Sequence, residues 1–128
     1  MSTPLEQVNS SWQNLLDAID GIPEERMTEP GVVGEWSVKD ALAHVAYWDD
    51  PDLPDSGGDW QPINEREAAA RADWSLADVR SNLAETHERM LTAMRAKPDI
   101  DAEAVRGDWE HYDEHAAEIR AWRKQQGL

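Results

Sequence analysis

Residues 34–50 read GEWSVKDALAHVAYWDD, and this stretch decides the fold. Ser37 stands three residues before Asp40. That is the spacing of a capping box, in which the hydroxyl satisfies one orphan N–H of a helix start and the acid satisfies another. (Asp replaces the usual Glu or Gln.) Beyond it Ala41, His44, Val45 and Trp48 recur at three- and four-residue intervals, one face of a helix. Pro51 ends it. His44 therefore points along the apolar side, where an unpaired imidazole costs free energy.

Working outward, the same periodicity recurs. Leu5, Val8, Trp12, Leu15, Leu16 and Ile19 mark a first helix over residues 4–20, with Pro4 suited to its first turn and Gly21 to its stop. Residues 22–36 form a connection, broken by Pro23, Pro30, Gly31 and Gly34. Residues 50–62 read as a long acidic loop and residues 63–72 as a short helix. A second capping signal, Ser75 with Asp78, opens a helix whose apolar face is Leu76, Val79, Leu83, Met90, Leu91 and Met94, stopped by Pro98. The last helix begins between Asp101 and Asp108, with Gly107-Asp108 the later candidate cap. Tyr112, Ala116, Ile119 and Trp122 or Arg123 mark its inner side, and the tail KQQGL is expected to fray. No alternating apolar run reads as a strand. Four long helices with one long crossover predict an all-α, four-helix bundle, a single domain over residues 1–128.

Composition narrows the function. The 128 residues contain no cysteine, so disulfides and thiolate ligands are excluded and any metal site must use His, Asp or Glu. A domain of this size buries about two-thirds of its unfolded surface and needs no staple. The net charge is −15, from 27 acidic and 12 basic residues, and only two of the bases fall in residues 1–64. Such a chain repels nucleic acid and anionic membrane surfaces. No apolar run approaches the roughly 20 residues of a membrane span. The N-terminal MSTPLEQVNSSW has no basic-then-apolar pattern of a signal peptide, so a cytoplasmic location is expected. Asp49, Asp50, Asp52, Asp55 and Asp59 crowd one segment and read as a solvated loop, or as a collector of cations.

The four histidines carry the chemistry. His111 and His115, in HYDEH, are spaced i, i+4, which puts both imidazoles on one helix face with Cβ atoms about 6 Å apart. One ion can bridge such a pair, as in the HExxH motif of zinc proteins. The segment is not that motif, because Tyr112 follows His111 and the acid, Glu114, directly precedes His115. A third ligand must come from elsewhere, and His44 is the best candidate. Three neutral nitrogens with open positions is the arrangement of a catalytic centre rather than a closed structural one. Imidazole suits Zn, Ni, Fe and Cu alike. The plainer reading stands beside this one: an HxxxH pair on an acidic helix is often two surface histidines, and a lone histidine on an apolar face is often a satisfied core residue.

His87 reads first as a partly exposed side chain on a helix flank, with a fourth ligand or a general base as the sharper reading. Glu114 or Asp108 could orient an imidazole, or be solvent-facing carboxylates. Trp36, Trp48 and Trp109 could wall a pocket. Equally, seven Trp and no Phe could be the core that Phe would otherwise fill.

GEWSVKDALAHVAYWDD resembles the second helix of the DinB/YfiT-like superfamily, with a Trp before a capping hydroxyl and then a short apolar helix carrying His; here these are Trp36, Ser37, His44 and Trp48. DWEHYDEHAAEIRAW, residues 108–122, resembles the superfamily's last helix with its His-x-x-x-His pair, here His111 and His115. WQPINEREAAARADWSLADV, residues 60–79, is similar to the start of the third helix in members near the mycothiol-dependent maleylpyruvate isomerases. The resemblance implies a four-helix bundle, often a homodimer, binding one divalent metal, zinc or nickel, through His44, His111 and His115. It implies a small-molecule substrate and thiol-dependent S-transferase or metal-dependent hydrolase chemistry, in the first case with a low-molecular-weight thiol as cosubstrate. The alternatives are a non-catalytic stress protein that binds a small ligand or metal, and a metal-free helical dimer.

Overall fold

Helix α1 of the computed structural model spans Pro4–Ile19. It begins where Thr3 Oγ1 accepts the Glu6 N–H at 3.1 Å, with Pro4 in a first-turn position whose missing N–H has no intrahelical partner to lose. It ends at Asp20, followed by Gly21 at φ +83°, a backbone region that L side chains rarely adopt. The structure describes residues 3–51, 60–96 and 102–128.

The remaining helices are α2 (Val38–Asp49), α3 (Trp60–Arg71), α4 (Leu76–Arg95) and α5 (Ala102–Gln126). The expected capping box opens α2. Ser37 Oγ accepts from Asp40 N at 3.1 Å, and Asp40 Oδ2 accepts from Ser37 N at 3.0 Å. Ser75 Oγ caps α4 by accepting from Asp78 N at 3.0 Å. The connection between α1 and α2 holds one 3₁₀ turn, Glu24–Arg26, and an isolated bridge between Val33 and Trp36.

α1 packs along α5 and α2 along α4, while α2 also meets α5 and carries α3 on its flank. The result is a helical bundle, as the periodicity predicts. The predicted apolar faces fill its core: Val8, Leu15 and Ile19 from α1, Ala41 and Val45 from α2, Val79, Leu83, Met90, Leu91 and Met94 from α4, and Tyr112, Ala116, Ile119 and Trp122 from α5. Among the described residues no helix is long and apolar enough to cross a membrane.

Two boundaries, the start of α3 and the C-terminal tail, differ from expectation. α3 starts at Trp60, ahead of residue 63, because Pro62 falls in its first turn, where the N–H groups lack intrahelical partners anyway. α5 starts at Ala102, inside the expected window, and runs through the later candidate cap at Gly107 without a break. The tail is helical to Gln126, whose side chain accepts from Arg26 Nη2 at 2.9 Å. A Schellman closure then follows, with Leu128 N–H bonding Arg123 O at 2.9 Å and Gly127 at φ +71°. Asp52, Asp55, Asp59, Pro98 and Asp101 lie outside the described residues, as does the side chain of Asp108.

Candidate metal centre

His44 comes from the middle of α2, and His111 and His115 from successive turns of α5. Where α2 meets α5 the three rings turn their Nε2 atoms toward one point. His44 Nε2 lies 3.0 Å from His111 Nε2, and His111 Nε2 lies 2.9 Å from His115 Nε2. One ring nitrogen from each lies within 4.8 Å of the other two. An imidazole nitrogen carries either one proton or one lone pair. His111 Nε2 therefore cannot serve both neighbours with linear hydrogen bonds.

The donor set fits a divalent ion. With bonds of 2.0–2.1 Å, nitrogens at right angles around one ion sit about 2.9 Å apart, and at tetrahedral angles about 3.3 Å apart. Burial is the first cause that lowers the His44 pKa, to about 3, with His111 and His115 adding to it. Burial likewise lowers His111 and His115, each to about 4. All three rings are neutral at pH 7 and present lone pairs, the form that ligates metals.

The trio forms the floor of a cleft of about 770 Å³. Its walls include Val33, Trp36, Trp48 and Asn64, and on the α5 side Glu114 and Glu118. The Trp36 ring meets His44 at 4.9 Å between centroids. Trp48 Nε1 donates to Asn64 Oδ1 at 2.6 Å. An indole N–H is a donor only, so this bond fixes the amide with its oxygen toward Trp48. Trp36 and Trp48 are thus cleft walls, whereas Trp109 packs partly buried against the hydrophobic core.

Glu118 and Asn64 are the cleft residues that sequence reasoning missed, and Glu118 stands against a histidine of the trio. Its Oε1 lies 2.8 Å from His115 Nδ1, the nitrogen facing away from the trio. The pair touches without good alignment, so both atoms are buried without a well-formed hydrogen bond. Burial raises the Glu118 pKa, and Glu114 raises it further. An i, i+3 step from His115 was the signal available. Glu114 is exposed at the cleft wall and, among the described residues, hydrogen-bonds to no imidazole.

His87 is a correction. It is not on an exposed flank: only 3 % of its surface is accessible, and it stacks on Trp12 at 3.8 Å with planes 9° apart. It also stands outside the three-histidine group. Its Nδ1 lies 2.8 Å from Tyr112 Oη, and Tyr112 donates its own proton to Asp49 Oδ2 at 2.6 Å. With that proton committed, His87 Nδ1 must donate, which defines the neutral Nδ1–H tautomer. Burial lowers the His87 pKa to about 4, in agreement. Asp49 is accordingly a buried core residue rather than part of a solvated loop, and Asp50 accepts from Arg89 at 3.2 Å.

No curated protein and no solved structure matches the chain. The family model described as the DinB superfamily matches residues 7–123, a span that takes in most of α1, all three converging histidines and most of α5. The chain belongs to the DinB superfamily.

Proposed function

We propose that the protein binds one divalent metal ion, zinc or nickel, through His44, His111 and His115, and acts on a small molecule as a thiol-dependent S-transferase or a metal-dependent hydrolase. The observation that carries this reading is the convergence of three neutral Nε2 atoms from two helices, at spacings of 3.0 and 2.9 Å that hydrogen bonding alone does not satisfy. A bound divalent ion supplies Lewis acidity, which lowers the pKa of water or of a thiol so that a nucleophile forms at neutral pH.

The chain's own residues prepare for that step. Glu118 stands where it can hold the proton of His115 Nδ1, which keeps Nε2 free to ligate. Glu114, exposed on the cleft wall, is the carboxylate placed to accept a proton from an incoming water or thiol. Trp36 and Trp48 bring aromatic surface against the substrate and shield it from bulk water.

The test is metal content of untagged protein by plasma mass spectrometry, wild type beside His111→Ala. Near-stoichiometric zinc or nickel in wild type, lost from the variant, is the expected result and leads to assays with thiol cosubstrates. A metal-free wild type, even after incubation with both ions, overturns the proposal.

A further inference from the structure

Helix α3 is held against the bundle without entering its core. None of residues 61–71 is buried. Two polar side chains on one face of the helix, Asn64 and Arg71, tether it to its neighbours. Arg71 Nη1 donates to Ala43 O at 3.1 Å and to Asn82 Oδ1 at 3.2 Å. Asn64 Oδ1 accepts the indole proton of Trp48 at 2.6 Å. This docking puts Asn64 on the wall of the cleft whose floor is the histidine trio. Trp48 lies one turn, about 6 Å, beyond His44 on α2. The amide that Trp48 holds is therefore a second fixed point in the cleft, apart from the trio.

An indole N–H can only donate, so Asn64 meets Trp48 with its oxygen and keeps both Nδ2 protons for another partner. Among the described residues no acceptor takes them. Nδ2 is not sealed in the interior either, since the buried side-chain atoms without a partner belong to Arg26, His115 and Glu118. Charge selects what these protons can meet. With a divalent ion on the trio, two positive charges stand against the carboxylates of Glu114 and Glu118, and the described lining adds no Lys or Arg. The loaded cleft is thus close to charge balance, and the Asn64 amide is itself neutral. A carboxylate brought to that amide gives up its water with no cation beside it, which costs free energy. An uncharged carbonyl loses less and gains one directed bond. In metal-free protein only the two carboxylates remain, and the preference for an uncharged group keeps its sign.

We infer that Asn64 sets the specificity of the cleft for a substrate bearing an uncharged carbonyl, of amide or ketone type, which accepts a hydrogen bond from Asn64 Nδ2 while an apolar or aromatic body lies against Trp36 and Trp48. Trp48 has a positioning role, because its indole proton decides which end of the amide meets the ligand. The inference deepens the proposed function and rests on the cleft being the substrate site.

The probe is N,N-dimethylbenzamide, an aromatic amide that accepts a hydrogen bond and has none to donate; benzoate is its charged counterpart. Binding is followed in ¹H–¹⁵N spectra of the full chain, through the Asn64 side-chain NH2 pair and the Trp48 indole N–H, assigned from Asn64→Asp and Trp48→Phe. Measurements are made on protein as purified and after chelator treatment. The expected result in both preparations is that the amide shifts the Asn64 pair and that benzoate at equal concentration leaves it in place. Asn64→Asp keeps the oxygen that Trp48 needs and removes only the donor. It should weaken binding of the amide about three- to tenfold, the scale of one hydrogen bond, while the Trp48 indole signal stays at its hydrogen-bonded position. A merely structural Asn64 would leave the affinity unchanged in this variant. An Asn64 pair that ignores the amide overturns the inference. So does a pair that responds equally to benzoate, or an affinity that survives Asn64→Asp. The wild-type spectra decide the matter even where the variant folds poorly. Metal content of the wild type is measured separately by plasma mass spectrometry. Metal-free protein whose Asn64 pair responds removes the metal reading and leaves this one, and metal-loaded protein with a silent pair does the reverse.

Discussion

Tyr112 donates its hydroxyl proton to Asp49 across 2.6 Å, and both side chains are buried. The bond joins the last residue of α2 to the residue of α5 that follows His111. It therefore sets the rotation of α5 against the helix that carries His44. His87 completes the arrangement by donating to the same hydroxyl while stacked on Trp12 of α1, so α1, α2, α4 and α5 meet at one tyrosine.

Tyr112→Phe should therefore be costly although it removes a single atom. The phenyl ring still packs, but His87 Nδ1–H loses its acceptor in a buried site. The expected loss is about 1–3 kcal/mol of unfolding free energy, the scale of a buried polar group deprived of its partner. Urea denaturation of the two proteins measures it. An unchanged midpoint would show that the network contributes nothing.

Acid should weaken the metal-free fold well before the carboxylates titrate. His44, His87, His111 and His115 all have depressed values in the folded chain, at about 3 for the first and about 4 for the others. Unfolded, each titrates near 6.5. As pH falls from about 6.5 toward about 4, the unfolded chain takes up protons that the folded chain refuses, and stability is lost across that window. Urea midpoints at pH 7, 6 and 5 should decline in order. His87→Asn, which keeps a donor near the Tyr112 hydroxyl but cannot titrate, should flatten the slope by one proton's share.

Glu118→Gln tests the contact with His115 Nδ1. Carboxylates that orient ligating imidazoles typically contribute about 10- to 100-fold in metal affinity. A zinc competition titration against a chromophoric chelator should show a loss in that range, with a much smaller effect from Glu114→Gln. Equal effects from the two changes would remove the positioning role assigned to Glu118.

Ser37→Ala deletes one half of the capping box at the start of α2. The expected cost is about 0.5–2 kcal/mol of stability. His44 lies two turns further on, held by Ala41 and Val45 in the core. Zinc affinity should therefore stay within a factor of about two in protein that remains folded, a threshold far below the loss expected when a ligand is displaced.

What the sequence made legible was whatever short-range geometry determines. Both serine caps, the apolar stripes and the i, i+4 step of His111 and His115 depend on neighbours within one or two turns, and each is found as the spacing predicts. The convergence of His44 with that pair depends on how α2 meets α5, which periodicity does not encode; family resemblance supplied it. His87 was misjudged because its cover, Trp12 and Tyr112, arrives from α1 and α5. Asn64 was overlooked for a similar reason, since its role arises only where α3 lies on α2. The start of α3 was placed too late because Pro62 looks like a break, yet it sits in a first turn; α5 starts inside its expected window, and Gly107, the later candidate cap, is tolerated inside the long helix.

Some of the scarce cations of this chain bond to backbone carbonyls, while others pair with acids such as Glu29, Asp50 and Glu110. Arg123 donates to the carbonyls of Ala18 and Asp20 at 2.9 and 2.7 Å, Lys39 to those of Ala72 and Trp74 at 2.9 and 2.8 Å, and Arg71 to that of Ala43 at 3.1 Å. Part of the positive charge is thus committed to closing helix ends and joining helices, while 27 acidic residues outnumber 12 basic ones across the chain. Neutralising that crowd is left to the counterions of the medium. Raising salt from 0.1 M to 1 M shortens the screening length from about 10 Å to about 3 Å, which relieves long-range repulsion among acids more than it loosens short cation–carbonyl contacts. The protein should accordingly gain thermal resistance in brine, behaving as a polyanion that its solvent helps to hold together.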